Sequence, residues 1–332
     1  MSQTIHQPLL PARWVERALD SFAALMEIME AVALRTVLAM LSTAGPVAAS
    51  NAMGRLFRAF GPMLPVTRVA DRNLRLTMPQ LDEASRRRIL RDMWESLGRT
   101  AGEFAHLADL RQCGGNGPGW TMENAHILTA LATRGGPAIF VSGHIGNWEM
   151  LPVAVAAYGM PFASVYRPAS HKRVNDIILA LRHRAIGQDI PTFAKGAQGA
   201  RQALAHLRQG GFLGMLIDQK MNDGVEATLF GLPAMTAPAT AALALRFRCP
   251  IIPGHVIRTG PARFRLVAEE PLHLPDTGDR QADIEILTQA LNDRLEYWVR
   301  QQPHSWLWLH RRFPKDLYRH ATIVRQPSRR AV

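Results

Sequence analysis

From residue 137 onward, apolar positions fall into short blocks that alternate with helical stripes. Residues 137–142, 162–166, 190–193, 212–217, 251–257 and 264–267 are compact runs rich in Val, Ile, Phe and Leu, the pattern of buried strands. Between them, residues 147–158, 172–186, 198–209 and 237–247 read as helices, and 284–301 reads as a long closing helix. Strand and helix alternating across short loops predict an α/β fold, a layered and mostly parallel β-sheet flanked by helices.

The first sixty residues are patterned differently. Val15, Ala18, Phe22, Leu25, Met29 and Val32 step by three and four, one apolar helical stripe, with Arg13, Glu16, Asp20, Glu27 and Glu30 mostly on other faces. Residues 36–54 carry no charge and are bracketed by Arg35 and Arg55. That is close to a membrane span, but Gly45-Pro46 interrupts it, and Ser42, Thr43, Ser50 and Asn51 dilute it. The pattern predicts an arm lying in the membrane interface; a helical hairpin packed on the protein's own core carries the same signature. Residues 83–109 read as another amphipathic helix, and the glycine-rich run 114–119 as a loop. The expected organisation is a membrane-docking helical arm (1–60), a helical region with its linker (61–119), the α/β domain (120–315) and a basic tail (316–332).

Charge narrows the partners. Thirty-nine basic against 27 acidic residues give a net +12, and only Lys172, Lys195, Lys220 and Lys315 among the basic residues are lysines. Arginine suits bidentate phosphate recognition, although codon bias in a GC-rich genome gives the same composition. Candidate docking arginines for anionic lipid or an acidic protein are Arg86, Arg87, Arg88, Arg91, Arg311, Arg312 and Arg319. Nucleic acid is the competing class. No helix-turn-helix, RNP or zinc-finger pattern supports it, and the arginines are spread along the whole chain. Two cysteines, Cys113 and Cys249, cannot build a disulfide framework, and no opening signal for export is evident.

The most informative segment is Phe140-Val-Ser-Gly-His-Ile-Gly-Asn-Trp-Glu149. It leaves a buried strand, turns between Gly143 and Gly146, and enters a helix, so His144 is expected at the carboxyl edge of the sheet, where ligands of such folds bind. Asn147 is a credible N-cap. On one continuous helix His144 and Glu149 would stand about 140° apart. With His144 in the turn, however, Glu149 can fold back onto the imidazole and hold one tautomer. Ser142 lacks the G-x-S-x-G context of a nucleophile, so the base is expected to act on an external hydroxyl. H-x4-E is no zinc spacing, and no metal is expected.

His144-Ile-Gly-Asn-Trp-Glu149 resembles the H-x4-[DE] signature of the glycerolipid acyltransferase superfamily, and its Glu is similar to the late acyltransferases of lipid A biosynthesis. Val165-Tyr166-Arg167-Pro168, Leu216-Ile217-Asp218-Gln219 and Trp306-Leu307-Trp308-Leu309-His310-Arg311-Arg312-Phe313 resemble three more of that family's motifs, in order, across about residues 85–315. The resemblance implies transfer of a fatty acyl chain from acyl carrier protein, or coenzyme A, to a hydroxyl of a membrane glycolipid, foremost a lipid A precursor. Lysophospholipids, phosphatidylinositol mannosides and ornithine-type lipids are the alternative acceptors. It implies His144 as base with Glu149 orienting it, and Arg182 and Arg184 on phosphate or oxyanion. Arg167, Asp218, Asn147 and Gly146 are the further substrate-binding candidates. The implied partners are acyl carrier protein, the glycolipid and an anionic membrane, without nucleic acid and without a cofactor beyond the donor. The implied location is the cytoplasmic face of the inner membrane. The family commonly opens with a clear transmembrane helix, whereas Glu27, Glu30 and Arg35 interrupt the apolar pattern of this chain.

Overall fold

The computed structural model describes residues 12–187 and 191–320. Ile190 of the expected strand 190–193, the tail beyond His320, and the side chains of Val15 and Ala18 in the arm's stripe lie outside the described residues. The chain opens with α1 (Ala12–Ala44), which Gly45 ends at φ 74°, and Pro46 starts α2 (Pro46–Phe60). A turn leads to α3 (Thr67–Thr77) and then to α4 (Glu83–Glu103), whose N-cap Asp82 accepts a hydrogen bond from the Ser85 N–H at 2.8 Å.

The α/β part follows as β1 (Gly119–Glu123), α5 (Ala125–Arg134), β2 (Ala138–Ser142), α6 (Met150–Ala157), β3 (Phe162–Tyr166), α7 (Lys172–Ile186), β4 (Thr192–Ala194), α8 (Ala197–Arg208) and β5 (Phe212–Leu216). A hairpin of β6 (Lys220–Leu229) and β7 (Leu232–Thr236) intervenes before α9 (Ala239–Phe247), β8 (Ile251–Gly260), β9 (Arg263–Ala268), α10 (Arg280–Gln301) and α11 (Lys315–His320). Seven strands form one sheet in the order β1-β9-β8-β2-β5-β3-β4, parallel throughout except for the β8–β9 hairpin. The expected layered, mostly parallel sheet is therefore the fold.

Several elements were not legible, among them β1, α5 and the β6–β7 hairpin. β1 starts at Gly119, inside the run read as a loop, and α5 is a short alanine-bearing helix behind it. β6 carries Lys220, Asp223 and Glu226 and lies outside the main sheet, so no alternation betrays it.

Successive residues of a strand face opposite sides of the sheet, and the core divides accordingly. Ile139, Val141, Ala163 and Leu213 pack under α8, α9 and α10, with Ala203, Ala244 and Leu291. Phe162, Phe212 and Ile252 pack on the other side with Ile127, Leu131 and Val155 from α5 and α6.

α2 belongs to this body. It meets α4 backbone to backbone: a Cβ at Gly98 would lie 2.3 Å from the Met53 carbonyl oxygen, and one at Gly102 would lie 2.4 Å from that of Ala49. α1 is attached differently. Ala31 is its one fully buried residue among those described, and Glu27 and Glu30 tie it to the start of α7 through the Arg173 N–H (2.8 Å) and His171 (2.5 Å). Among the described residues, no helix is long and apolar enough to cross a membrane.

Candidate active site

β2 and β5 lie side by side with Ser142 opposite Leu216. Two residues beyond each strand end stand His144 and Asp218, so the same step off the sheet brings them together. His144 Nδ1 lies 2.7 Å from Asp218 Oδ1, and the His144 backbone N–H donates to Oδ2 at 2.8 Å. The Trp306 indole N–H donates to the same Oδ2 at 2.8 Å. Asp218 is thereby satisfied on both oxygens while its side chain is wholly buried. With Nδ1 taken, Nε2 is the nitrogen that an incoming hydroxyl can meet.

Two glycines make this turn possible. At Gly143 a Cβ would lie 2.8 Å from Leu295 and 3.4 Å from Asp218 Oδ2. Gly146 has φ 59°, and a Cβ there would lie 2.5 Å from the Val256 carbonyl oxygen. The close approach that Gly146 permits is thus to the protein's own β8, not to a substrate as expected. The segment after α10 holds the turn from the other side: Gly146 N–H donates to Ser305 (2.9 Å), and Leu307 N–H to the His144 carbonyl (3.1 Å). Asn73 of α3 anchors that segment by donating to the carbonyls of Trp308 and His310, both at 2.7 Å.

Electrostatics favour a strong base. Burial works against the imidazolium, but the charge and hydrogen bond of Asp218, helped by the charge of Glu149, outweigh it and raise His144 above the ordinary histidine pKa. Burial alone would push the Asp218 carboxyl up; the neighbouring His144 and its hydrogen bonds, with that of Trp306, instead hold it well below the usual carboxylate range. His310 sits with its ring 5.8 Å from that of His144, and burial lowers its pKa. Trp148 meets the His144 ring edge-on at 5.0 Å.

Glu149 is not where the H-x4-E spacing suggested. α6 begins at Met150, residues 147–149 remain in the turn, and the Glu149 carboxylate is held by Arg182 of α7 in a two-pronged pair (2.8 and 2.6 Å). Asp218 occupies the place expected for it and acts on His144 directly. Being buried, Asp218 meets no acceptor. Asn147 is no cap either: it is fully buried and donates to Glu103 at 2.9 Å, out of a substrate's reach. Arg167 is exposed and lines the cavity described below, and Arg182 lines it too; Arg184, two residues further along the helix, is exposed and does not. Arg312 is not a docking residue, because it is fully buried and donates to Met235, Thr236 and Asn292. Burial lowers its pKa to about 10.

A cavity of about 830 Å³ opens beside His144. Phe140, Phe162 and Ile252 line it on one face of the sheet, Val141, Val165 and Met215 on the other, so it wraps the carboxyl edge of the strands. Lys195, Arg167 and Arg182 bring positive charge to its lining. Ser142 is buried with its hydroxyl on the Gly143 carbonyl, and burial raises the Cys249 thiol to about 11, so neither is an activated nucleophile. Among the described residues, no three His, Cys, Asp or Glu side chains are placed to hold a metal ion.

The Asp218–His144 link was missed because 74 residues separate its members. Strand adjacency was the signal that could have found it. Trp306 opens the segment 306–313, but nothing in the sequence marks its indole as a partner of Asp218.

A mostly parallel sheet thus sets a histidine backed by a buried carboxylate beside a largely apolar cavity of about 830 Å³, which has room for a hydrocarbon chain. Over residues 20–315 the chain matches the bacterial lipid A biosynthesis acyltransferase family, and it belongs to that family. It is an acyltransferase, and its substrates are of the lipid A type. A search of curated protein sequences finds none that matches.

Proposed function

We propose that the enzyme transfers a fatty acyl group from acyl carrier protein to a hydroxyl of a phosphorylated lipid A precursor, at the cytoplasmic face of the inner membrane. The observation that carries this reading is His144, fixed through Nδ1 by a buried Asp218, at the rim of an apolar cavity of about 830 Å³. His144 Nε2 takes the proton of the acceptor hydroxyl as its oxygen attacks the thioester carbonyl. The tetrahedral adduct collapses with cleavage of the C–S bond, and the thiolate leaves with the proton that His144 returns. Every atom of that exchange comes from the two substrates and His144, so the reading needs no resident cofactor or metal.

In this scheme Asp218 and Trp306 are positioning residues. Arg167, which has no acidic partner among the described residues, is the cation assigned to the acceptor phosphate. Arg182 is steadied by Glu149 at the mouth, and the Glu149 charge adds to the basicity of His144. The net +12 of the chain suits both an acidic carrier protein and an anionic bilayer.

The test is purified enzyme given acyl carrier protein or coenzyme A carrying the same chain, with phosphorylated and dephosphorylated lipid A precursors and a lysophospholipid, read by mass spectrometry. One acyl addition to the phosphorylated glycolipid, faster from the carrier protein, is the expected result. Addition to the lysophospholipid alone would overturn the acceptor, and a faster reaction with coenzyme A would overturn the donor. Supplied with donor but no acceptor, the enzyme should carry no covalent acyl group.

Location makes a separate prediction. Deleting residues 1–44 removes α1 and leaves α2 packed on α4, so most of the protein should move from the membrane fraction to the supernatant with its fold unchanged by circular dichroism. Aggregation of the truncated chain would show instead that α1 is part of the core.

A further inference from the structure

Among the described residues, the large apolar side chains that stand exposed all fall between Leu19 and Val66, apart from Ile286 and Tyr297. α1 carries many of them. A second group stands on the body, at the end of α2 and in the turn to α3: Phe60, Met63, Leu64 and Val66, with Met63 78% and Leu64 49% exposed.

This turn is firmly held. A Cβ at Gly61 would lie 2.2 Å from the Trp94 indole, so the glycine lets the turn sit directly on that ring. The Trp94 indole N–H donates to Thr67 Oγ1 (3.0 Å), that hydroxyl donates to the Gly61 carbonyl (2.9 Å), and the Leu64 N–H donates to the same carbonyl (3.0 Å). Its tip is therefore displayed by a built scaffold, and ordering it on a surface costs little further entropy. At its foot Asp71 is occupied by Arg75 (2.7 Å) and Arg86 (3.5 Å). Arg68 and Arg72, one turn apart on α3, are left without an acidic partner among the described residues. An exposed apolar tip beside unpaired arginines complements an anionic bilayer: the side chains enter the acyl boundary while the guanidiniums meet headgroup phosphates.

We propose that the turn at residues 60–66, flanked by Arg68 and Arg72, is a second membrane-inserting element, carried by the body and separate from α1. It rests on the reading that the acceptor is a membrane lipid and adds where the body meets it. Two linked attachments reinforce each other, so loss of either weakens binding of the whole chain.

Full-length enzyme is to be sedimented with vesicles of phosphatidylcholine alone and of phosphatidylcholine with phosphatidylglycerol. M63S/L64S, which alters only exposed side chains, should lower partition into both by about tenfold or more. R68Q/R72Q should lower partition into the anionic vesicles alone and flatten its salt dependence. Both variants should transfer acyl chains at the parental rate when substrates are dispersed in detergent. Unchanged vesicle partition of M63S/L64S would overturn the proposal. So would a self-associating parent whose dimer M63S/L64S breaks while partition stays the same. Partition is read without catalysis, so a parent inactive toward every lipid acceptor in detergent would sink the proposed function and leave this measurement standing.

Discussion

Asp218→Asn is expected to lower acyl transfer by about 10⁴-fold with the fold intact, although Asp218 touches no substrate. The amide can turn its N–H toward His144 Nδ1, which places the imidazole proton on Nε2 and takes away the lone pair that must meet the hydroxyl. It also removes the charge that stabilises the imidazolium. His144→Ala should cost about 10²–10⁴-fold through loss of the general base. Because the pair works as one unit, the double variant should be little worse than the poorer single one. A second readout separates this role from simple packing. His144 must be neutral to act, and its pKa is raised, so kcat/KM should fall as pH drops through that raised value. In Asp218→Asn the main cause of the increase is gone, and the acid limb should move to lower pH. Multiplying single losses, or an acid limb that stays in place, would show that His144 and Asp218 do not act together.

The parts of this enzyme legible in its sequence were those whose cause is local. The run 162–166 and the helix 172–186 have the bounds of β3 and α7, because a buried parallel strand and an amphipathic helix each write their own period. The turn bearing His144 was legible for the same reason, since a strand end and two glycines lie within five residues. The partner of His144 was not, because it depends on which strands are neighbours. Local spacing favoured Glu149, five residues away, but that carboxylate is claimed by Arg182 of α7, the second helix after the turn. Asn147 looked like a cap because it precedes an apolar run. A buried carboxylate on α4 holds it instead, and nothing near residue 147 in the sequence announces that.

That carboxylate is Glu103, and its replacement should cost the most stability of any single polar change near the site. It is fully buried at the end of α4 and gathers four donors from four parts of the chain. Ser50 Oγ of α2 lies at 2.7 Å, Asn147 Nδ2 at 2.9 Å and the Ala262 N–H at 3.1 Å, and Arg258 of β8 completes an ion pair. Breaking a buried ion pair on one side costs about 3–5 kcal/mol, because the other charge stays buried without its counterion. Arg258 would keep only the neutral Thr100 hydroxyl (3.2 Å), and its Nε already lacks a partner. Glu103→Ala should therefore lower the free energy of unfolding by that amount, read from the shift of the urea midpoint by tryptophan fluorescence. Glu103→Gln keeps the shape and an acceptor oxygen, and should cost about 1.5–3 kcal/mol, the worth of hydrogen bonds to a charged group. Both should also slow transfer, because Asn147 lies in the turn that carries His144. The double variant Glu103→Leu with Arg258→Met removes both charges and should regain only part of the loss. The hydroxyl of Ser50, the amide of Asn147 and the N–H of Ala262 still face the vacated acceptor. Full recovery in that variant would mean that the ion pair alone matters and that the three neutral donors contribute nothing.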